Sequence, residues 1–296
     1  MKRFFLNLLF FFLVFLAVNV MAFFVLARPT IMKDYVLPGK QLKKYHRFLM
    51  ADSHGKAIRQ CDLDAAGICN FSYDSDSYYD MLVKVNYLIN NFQVDTIFLT
   101  VDDHTLSKYR EKWTNRRRSI YYSTPGVYTR FYKISRVEFF FKKYFEYYTP
   151  LFSTGNAKVF RAYIESKISG KELPNYENFD ISKEAASLPG RSKERVEMQY
   201  PSDQPSGFLQ GCLAELVKLC RENSVEIVGI KFPLTDAFIS ELGGRSFHAD
   251  RFLKEKGYPV IDLKNSLSNH TSYFRDQDHL NYTGSKHFVD LLKEQL

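Results

Sequence analysis

Apolar and polar positions follow two rhythms along the chain, one typical of strands and one typical of helices. Short apolar runs predict five strands, at residues 46–51, 67–71, 94–101, 225–232 and 258–263. Apolar residues at helical spacing predict helices over residues 75–91, 208–223, 235–256 and 283–296, the third of them interrupted at Gly243-Gly244. Strands that alternate with helices in this way favour βαβ units and a mostly parallel sheet covered on both faces. The pattern therefore predicts an α/β domain.

The N-terminal segment lacks this alternation. Residues 4–27 form an uncharged run of about 24 residues, interrupted only by Asn7 and Asn19. In a helix with a rise of about 1.5 Å per residue, the run reaches roughly 36 Å, more than the hydrocarbon core of a bilayer at about 30 Å. The apolar stretch of a cleaved signal peptide is normally shorter, about 7–15 residues. We therefore expect a retained transmembrane signal anchor over residues 1–29.

The residues that flank this run predict its orientation. Lys2 and Arg3 precede it and favour a cytoplasmic N-terminus, while Arg28 and Lys33 on the other side weaken the charge bias. We expect a single-pass membrane protein whose main domain is periplasmic or extracellular. Residues 30–45, which hold proline, glycine and several lysines, are expected to form a linker.

Composition indicates a globular chain with one unusual segment. The 296 residues are 45% hydrophobic and 16% aromatic, enough for the core of one α/β domain and an additional segment. Residues 107–205 hold 19 Lys and Arg against 11 Asp and Glu, an excess that equals the net charge of +8 for the whole chain. Within them, residues 120–152 hold thirteen Phe and Tyr. We interpret residues 107–205 as an insertion in the α/β pattern.

Several interpretations of this insertion stay open at this point. A helical subdomain with a solvated basic face explains its composition. So does a lid over a site, a partner-binding subdomain, a basic surface for an anionic glycan, or a contact with lipid headgroups. Basic and aromatic residues also interleave in nucleic-acid-binding proteins. We do not expect a nucleic-acid partner, because the segment is predicted to lie outside the cytoplasm.

The four cysteines fit an extracytoplasmic compartment without defining a site. Cys61 and Cys69 would close a short loop and could pair. Cys212 and Cys220 are about 12 Å apart along a predicted helix, so they cannot pair with each other there and are expected to be buried thiols. No spacing resembles a zinc site, and we expect neither a metal nor a cofactor.

A serine directly follows the first predicted strand, in the sequence Ala51-Asp52-Ser53-His54-Gly55. The carboxyl end of a parallel strand, before a helix, is where an α/β sheet places ligands and nucleophiles. Amides of the loop and of the helix N-terminus can stabilise a developing oxyanion there. Taken alone, a serine in this position is more often a helix cap.

A second motif, Asp276-Gln277-Asp278-His279, lies between the last predicted strand and the last predicted helix. A loop there shares a sheet edge with Ser53. The spacing lets Asp276 accept a hydrogen bond from one imidazole nitrogen of His279 while the other nitrogen faces the serine. That is the nucleophile, base and orienter arrangement of acyl transfer. His279 could instead cap the helix or pack in the core, but the two motifs at one edge favour catalysis.

These two motifs, in this order, resemble those of the SGNH (GDSL-like) hydrolases. Asp52-Ser53 resembles the nucleophile block Gly-Asp-Ser of that family, and Asp276-x-x-His279 resembles its final block. The resemblance implies a flavodoxin-like three-layer α/β/α sandwich, ester hydrolysis or acyl transfer, and a catalytic triad of Ser53, Asp276 and His279. It covers residues 46–106 and 206–296, which we take as the catalytic domain.

Three positions depart from the family pattern. Ala51 replaces the glycine before the nucleophile, and no glycine stands in the loop that holds Ser72, where the family supplies a backbone donor. His104 stands near the position of the asparagine donor in the family. The candidates for the oxyanion hole are therefore Ser53, Ser72 and His104, with Asp52 and Asp103 as supporting residues. Losing one such donor typically costs about 10²–10³ in rate.

An anchored domain of this kind is also similar to cell-envelope proteins that work beside membrane-bound O-acyltransferases. This likeness implies an acylated cell-envelope or exported polysaccharide as substrate, and a membrane O-acyltransferase as partner. Two hypotheses follow. The chain is a serine esterase or O-acyltransferase, which the complete triad favours, or a catalytically weak or inactive glycan-binding partner, which the altered oxyanion blocks favour.

Overall fold

The computed structural model describes residues 1–25, 39–112, 114–115, 119–124, 126, 135–145, 161, 164–165, 168–169 and 189–296. The chain divides into two compact units, Met1–Pro38 with Ser123–Glu177 and Gly39–Tyr122 with Asn178–Leu296. Most of the predicted linker, and about half of the insertion at residues 107–205, lie outside the described residues. The predicted domain boundaries therefore stay predictions.

The second unit is built on one sheet. Its strands are β1 Arg47–Met50, β2 Ile68–Asn70, β3 Thr96–Thr100, β4 Glu226–Lys231 and β5 Val260–Asp262. All neighbouring pairs are parallel, in the order β2-β1-β3-β4-β5. This is the flavodoxin-like order, in which the chain changes direction across the sheet between β1 and β3. The predicted α/β fold with a parallel sheet is confirmed.

Helices flank these strands at the predicted places. The α-helices of the described residues include α1 Lys2–Ala22, α2 Gly39–Leu42, α3 Ser53–Lys56, α4 Gln60–Asp64, α5 Tyr78–Asn91, α6 Lys108–Lys112, α7 Arg136–Phe140, α8 Pro189–Gln199, α9 Gly207–Glu222, α10 Asp236–Leu242, α11 Ala249–Glu255 and α12 Tyr282–Glu294. The interruption predicted at Gly243-Gly244 divides residues 235–256 into two helices, α10 and α11. Gly243 ends α10 with a φ of 58°, a conformation that glycine adopts without steric cost.

The core occupies both faces of the sheet. On one face, Leu49, Phe98 and Ile230 pack with Phe288 and Leu292 of α12. The residues that alternate with them along the strands point to the opposite face. There Phe48, Ile97 and Leu99 are also fully buried, and α5 and α9 pack against each other, with the rings of Tyr79 and Phe208 stacked at 6.3 Å. Burial on both faces is what a parallel sheet requires.

A buried ion pair supports the loop that follows β2. Lys84 of α5 is 1% exposed, and its ammonium contacts Asp76 Oδ2 at 2.5 Å and also donates to the Phe71 carbonyl. Burial raises the pKa of Asp76 to about 7, although the Lys84 charge opposes that shift. Arg110 joins this cluster to the end of β1, because its Nη2 donates to the Asp76 carbonyl and lies 3.1 Å from Asp52 Oδ2.

Helix α8 belongs to the unit that contains the sheet, although its sequence lies in the predicted insertion. It packs on α10, where Val196 shares an apolar cluster with Leu234, Phe238 and Leu242. The Ser107 hydroxyl donates to the Gln199 carbonyl at the end of α8. One end of the insertion therefore forms part of the α/β domain.

The N-terminal helix and the cysteines behave largely as predicted. The helix through Val25 has 24 residues, and an 18-residue stretch of it has a mean hydropathy of 2.8, so its length and composition allow it to cross a membrane. All four cysteines are free thiols, so Cys61 and Cys69 do not form the disulfide that their spacing allows. Cys212 and Cys220 are buried on α9, as predicted.

Candidate active site

The loop after β1 places Ser53 at the first position of the short helix α3. Asp52 caps this helix, because its Oδ1 accepts from the His54 N–H at 3.0 Å. Asp52 and His54 are buried, whereas Ser53 is only partly buried. The serine hydroxyl is therefore held at the carboxyl edge of the sheet by a capped turn, with access to the surface.

Close packing beneath α3 fixes this loop. A Cβ at Gly55 would lie 2.5 Å from both Ala51 Cβ and Ser72 Oγ, so only glycine fits there. The Ser72 hydroxyl accepts from the Ala51 N–H at 3.1 Å and donates to the Leu49 carbonyl at 3.3 Å. These bonds tie the end of β1 to the chain that follows β2.

The second half of the site is a hairpin-like loop before α12. Phe274 and Leu280 form an isolated antiparallel bridge, and the Arg275 N–H donates to the His279 carbonyl at 2.8 Å. Inside the loop, Asp276 Oδ1 accepts from the His279 N–H at 3.0 Å. An aspartate that bonds the backbone a few residues ahead stabilises such a turn.

The start of α12 holds this loop in place. Asn281 caps the helix, with its Oδ1 accepting from the Gly284 N–H at 3.0 Å, and its own N–H donates to the Tyr273 carbonyl at 2.9 Å. A Cβ at Gly284 would lie 2.1 Å from the Tyr273 carbonyl oxygen. The glycine therefore allows α12 to approach the backbone of the loop that carries Asp276 and His279.

The two loops bring together the three residues predicted as a triad. His279 Nε2 lies 2.7 Å from Ser53 Oγ, and His279 Nδ1 lies 2.7 Å from Asp276 Oδ1. With its proton on Nδ1, shared with Asp276, the imidazole can accept the serine proton at Nε2. This line of contacts has the geometry of a nucleophile, a general base and the group that orients the base.

A second histidine–aspartate pair lies directly behind the nucleophile. His54 Nδ1 contacts Asp102 Oδ2 at 2.7 Å, and the rings of His54 and His279 are 5.0 Å apart. Asp102 follows β3 and also accepts from the Phe232 N–H at 2.8 Å and the Thr100 hydroxyl at 3.0 Å. Since β1 and β3 flank the point where the strand order reverses, this pair occupies the usual ligand-binding edge of the sheet.

Asp278 connects the two pairs. Its Oδ1 lies 3.1 Å from His279 Nδ1, and its Oδ2 lies 3.7 Å from His54 Nε2. Oδ2 also accepts from Arg195 Nε at 3.0 Å and from Gln199 Nε2 at 2.8 Å, both on α8. His279 therefore faces two carboxylates at Nδ1, and one of them is shared with His54.

These contacts set the charges at the site. Burial lowers the pKa of His279, but the carboxylates of Asp278 and Asp276 outweigh it and raise that pKa to about 9. Burial also lowers the pKa of His54, but the carboxylates of Asp52 and Asp102 outweigh it and raise that pKa well above the ordinary value. Burial would raise the pKa of Asp278, but His279 and Arg195 hold it well below its usual range. These contacts favour the cationic form of both imidazoles and the ionised form of Asp278.

The predicted supporting and oxyanion residues lie in different surroundings. His104 is buried near the nucleophile loop, with its Nε2 3.5 Å from Asp52 Oδ2. Burial acts to raise the pKa of Asp52, but Arg110 and the two histidines hold it well below the usual value. Asp103 points elsewhere, since its carboxylate binds Lys231 at 2.6 Å and Lys264 at 3.0 Å.

Ser72 is held by hydrogen bonds to its neighbours in the loop that follows β2. Its N–H donates to Asn70 Oδ1 at 3.0 Å, and the Asn70 amide donates to the Gly55 and Ile58 carbonyls at 2.8 and 2.6 Å. Its amide therefore already has an acceptor. The role of Ser72 in an oxyanion hole stays a prediction, and the hydrogen bond from its N–H to Asn70 Oδ1 does not favour that role.

Four residues of the site, His54, Asp278, Arg110 and Arg195, were not predicted from the sequence. Two of them were within the motifs already noted, because His54 follows the nucleophile and Asp278 precedes the base. Asp102 follows a predicted strand, which is a usable signal. Arg195 carried no signal in the sequence, since it lies in the basic insertion far from either motif.

Several of these side chains have the chemistry of metal ligands. The ligand atoms of His54, Asp278 and His279, and those of Asp52, His54 and Asp102, lie within 4.8 Å of one another. The same atoms are accounted for by mutual contacts, since each histidine Nδ1 contacts a carboxylate oxygen at 2.7 Å. We therefore assign both groups to hydrogen bonding and ion pairing.

Comparisons with known proteins give only distant likenesses. No family model matches the chain, and no curated protein matches it. Among solved structures, it is similar to a proposed acylhydrolase from Bacteroides fragilis, at 10% identity and a TM-score of 0.40, over 87% of this chain and 91% of that one. It is also similar to a GDSL-like lipase from Bacteroides thetaiotaomicron, at 8% identity and a TM-score of 0.37, over 90% and 94% of the two chains. Likenesses this distant do not transfer an activity to this chain.

Proposed function

We propose that the chain is a serine-dependent acyl ester hydrolase or O-acyltransferase. The observation that carries this proposal is the unbroken line of contacts from Ser53 Oγ through His279 to Asp276, with two 2.7 Å distances. The three side chains come from two loops at one edge of a parallel sheet, 226 residues apart for Ser53 and His279. A contact of this kind between a serine hydroxyl and an imidazole suits nucleophilic acyl transfer.

In the proposed reaction, His279 Nε2 takes the proton of the Ser53 hydroxyl as Oγ attacks the ester carbonyl. The resulting tetrahedral adduct collapses as the protonated His279 gives its proton to the leaving alkoxide, and an acyl-serine remains. Water or a sugar hydroxyl then attacks that ester, with His279 again as base. The bond between the acyl carbon and Ser53 Oγ breaks, and His279 returns the proton to Oγ. Asp276 holds the imidazole in the tautomer that presents Nε2 to the serine.

The developing oxyanion needs donors. The Ser53 N–H is the first candidate, because the first amides of a helix have no acceptor within it and point towards its N-terminus. His104 is the second candidate, but its Nε2 faces Asp52 at 3.5 Å, so donation to substrate requires that contact to weaken. If only the first of these candidates donates, we expect a modest rate, since each missing donor costs about 10²–10³.

The substrate class and location are further parts of the proposal. An N-terminal helix that can cross a membrane would hold the domain beside cell-envelope material. We propose an acylated cell-envelope or exported polysaccharide as substrate, a periplasmic or extracellular domain, and a membrane O-acyltransferase as partner. Retention of the full chain in the membrane pellet after carbonate washing tests the anchor, and a chain released by the wash would contradict it.

An assay of the full chain in detergent micelles tests the activity. We expect turnover of a short-chain aryl acetate, with acetate released to water and, when an exported polysaccharide is added, acetyl groups found on its hydroxyls. Acetate alone supports a hydrolase, whereas acetylated polysaccharide supports a transferase. A folded chain that turns over no acyl donor but retains polysaccharide would instead support the glycan-binding hypothesis.

A further inference from the structure

Asp278 is the most heavily contacted charged side chain at the site. It is 2% exposed and meets four polar side chains from three elements, His279, His54, Arg195 and Gln199. Asp276, the orienting carboxylate of the proposed triad, is 23% exposed. A buried charge is screened much less than one near solvent, so Asp278 acts on the imidazole at least as strongly as Asp276.

Two of these contacts come from α8, outside the ranges that carry the α/β pattern. Arg195 and Gln199 lie four residues apart, which places them on one face of the helix. Both donate to Oδ2 of Asp278, which leaves Oδ1 directed at His279 Nδ1 at 3.1 Å. Because Val196 between them packs in the cluster with α10, the helix is fixed where it holds the carboxylate.

From this geometry we infer that Asp278 is a positioning residue for the base His279, and that Arg195 of α8 sets how strongly Asp278 acts. The inference rests on the proposed function and adds a second carboxylate to the triad. It also gives α8 a defined role, in which one end of the insertion holds the base through a buried ion pair.

The charged groups around His279 come from every element packed on it. The groups that face it directly are Asp276 and Asp278 of its own loop and His54 of the loop after β1. Four further charged groups contact or neighbour these residues. Arg275 lies beside Asp276, Arg195 beside Asp278 and Asp102 beside His54, and Asp52 caps α3. Removing a carboxylate from this set destabilises the imidazolium, and removing a cation stabilises it.

Removing Asp278 and removing Arg195 are expected to shift the pH dependence of kcat/KM in opposite directions. His279 must be neutral to act as base, so kcat/KM should rise with pH through the pKa of His279, which is about 9. Asp278→Asn removes a carboxylate and should move this rise to lower pH, by about one pH unit or more. Arg195→Met leaves Asp278 less neutralised and should move it to higher pH. The double variant should behave like Asp278→Asn, because Arg195 acts through Asp278.

Two measurements on the full chain in detergent micelles test whether the Asp278 and Arg195 variants shift the titration of His279 in opposite directions. The first is the pH profile of kcat/KM for an aryl acetate. The second is the titration of His279 by NMR of ¹³C-labelled histidine, assigned with His279→Gln, which requires no turnover. Asp290→Asn and Arg251→Met, at exposed positions on α12 and α11, are the matched controls and should titrate like wild type. Arg195→Lys keeps the charge and should restore most of the wild-type profile.

The outcomes separate this inference from the proposed function. Opposite shifts in both readouts support it, whereas a loss of activity with no displacement of either titration reduces Asp278 and Arg195 to structural residues and overturns it. If Arg195→Met does not fold, the Asp278→Asn titration decides alone, and an unshifted His279 overturns the inference. A chain without turnover in which His279 still shifts would refute the proposed function but leave the coupling of Asp278 to His279 standing.

Discussion

Replacing Ser53 or His279 by alanine is expected to lower kcat for aryl acetate hydrolysis on the order of 10⁴-fold or more. The serine supplies the only atom that forms the covalent bond, and the imidazole moves the proton in both halves of the reaction. Asp276→Asn should cost less than either, because Asp278 still faces His279 Nδ1 at 3.1 Å. Steady-state kinetics of the three variants against wild type measure these losses.

Combining the changes provides a sharper test. Because the three residues act as a unit, the Ser53→Ala/His279→Ala double variant should be scarcely slower than Ser53→Ala alone. Ser266→Ala, at an exposed position, is the control and should keep the wild-type rate. Losses that add on a logarithmic scale, or single variants within tenfold of wild type, would contradict a catalytic triad.

Replacing Lys84 by methionine is expected to lower the free energy of unfolding by about 3–5 kcal/mol at pH 8, the largest effect on stability that we foresee. Methionine preserves much of the side-chain volume, so the cost comes from leaving Asp76 buried without the ammonium 2.5 Å away. Chemical denaturation of the full chain in detergent, followed by circular dichroism, measures it. Lys218→Met, which breaks an exposed pair on α9, should change stability by about 1 kcal/mol or less.

The pH dependence of this loss has a definite sign. The pKa of Asp76 is raised to about 7 by burial, and removing the Lys84 charge raises it further. The folded state therefore binds a proton that the unfolded state does not bind between about pH 4 and 7, and stability rises as the pH falls. The Lys84→Met loss should be smaller at pH 5 than at pH 8. Equal losses at both values would show that the ion pair is not the cause.

The fold was predictable from the sequence because its signals are local. The strand around Ile97 and the helix around Leu213 follow from the spacing of apolar residues alone, and burial on both faces explains why those strands are apolar throughout. The break at residues 243–248 was also predictable, because Gly243-Gly244 interrupts the apolar pattern. Gly243 ends one helix there, and the left-handed His248 caps the next.

The parts of the site that were predictable from the sequence lie in or near its two motifs. Ser53 and His279 were found because each lies at a strand end or a helix start, where the topology brings loops to one edge. The contact between Arg195 and Asp278 depends on how α8 docks on α10, and no spacing in the chain encodes it. Asp103 was predicted as a supporting residue of the site, but its carboxylate binds Lys231 and Lys264 instead. Its position beside His104 in the chain does not predict those two contacts.

The most direct test of the account is whether Ser53 is a nucleophile. The full chain in detergent micelles, treated with a fluorophosphonate probe and digested, should carry the adduct on the peptide that contains Ser53. Labelling should be absent in Ser53→Ala, strongly slowed in His279→Ala and unchanged in Ser266→Ala. A folded wild-type chain that does not label, or labelling that persists in Ser53→Ala, would contradict the account.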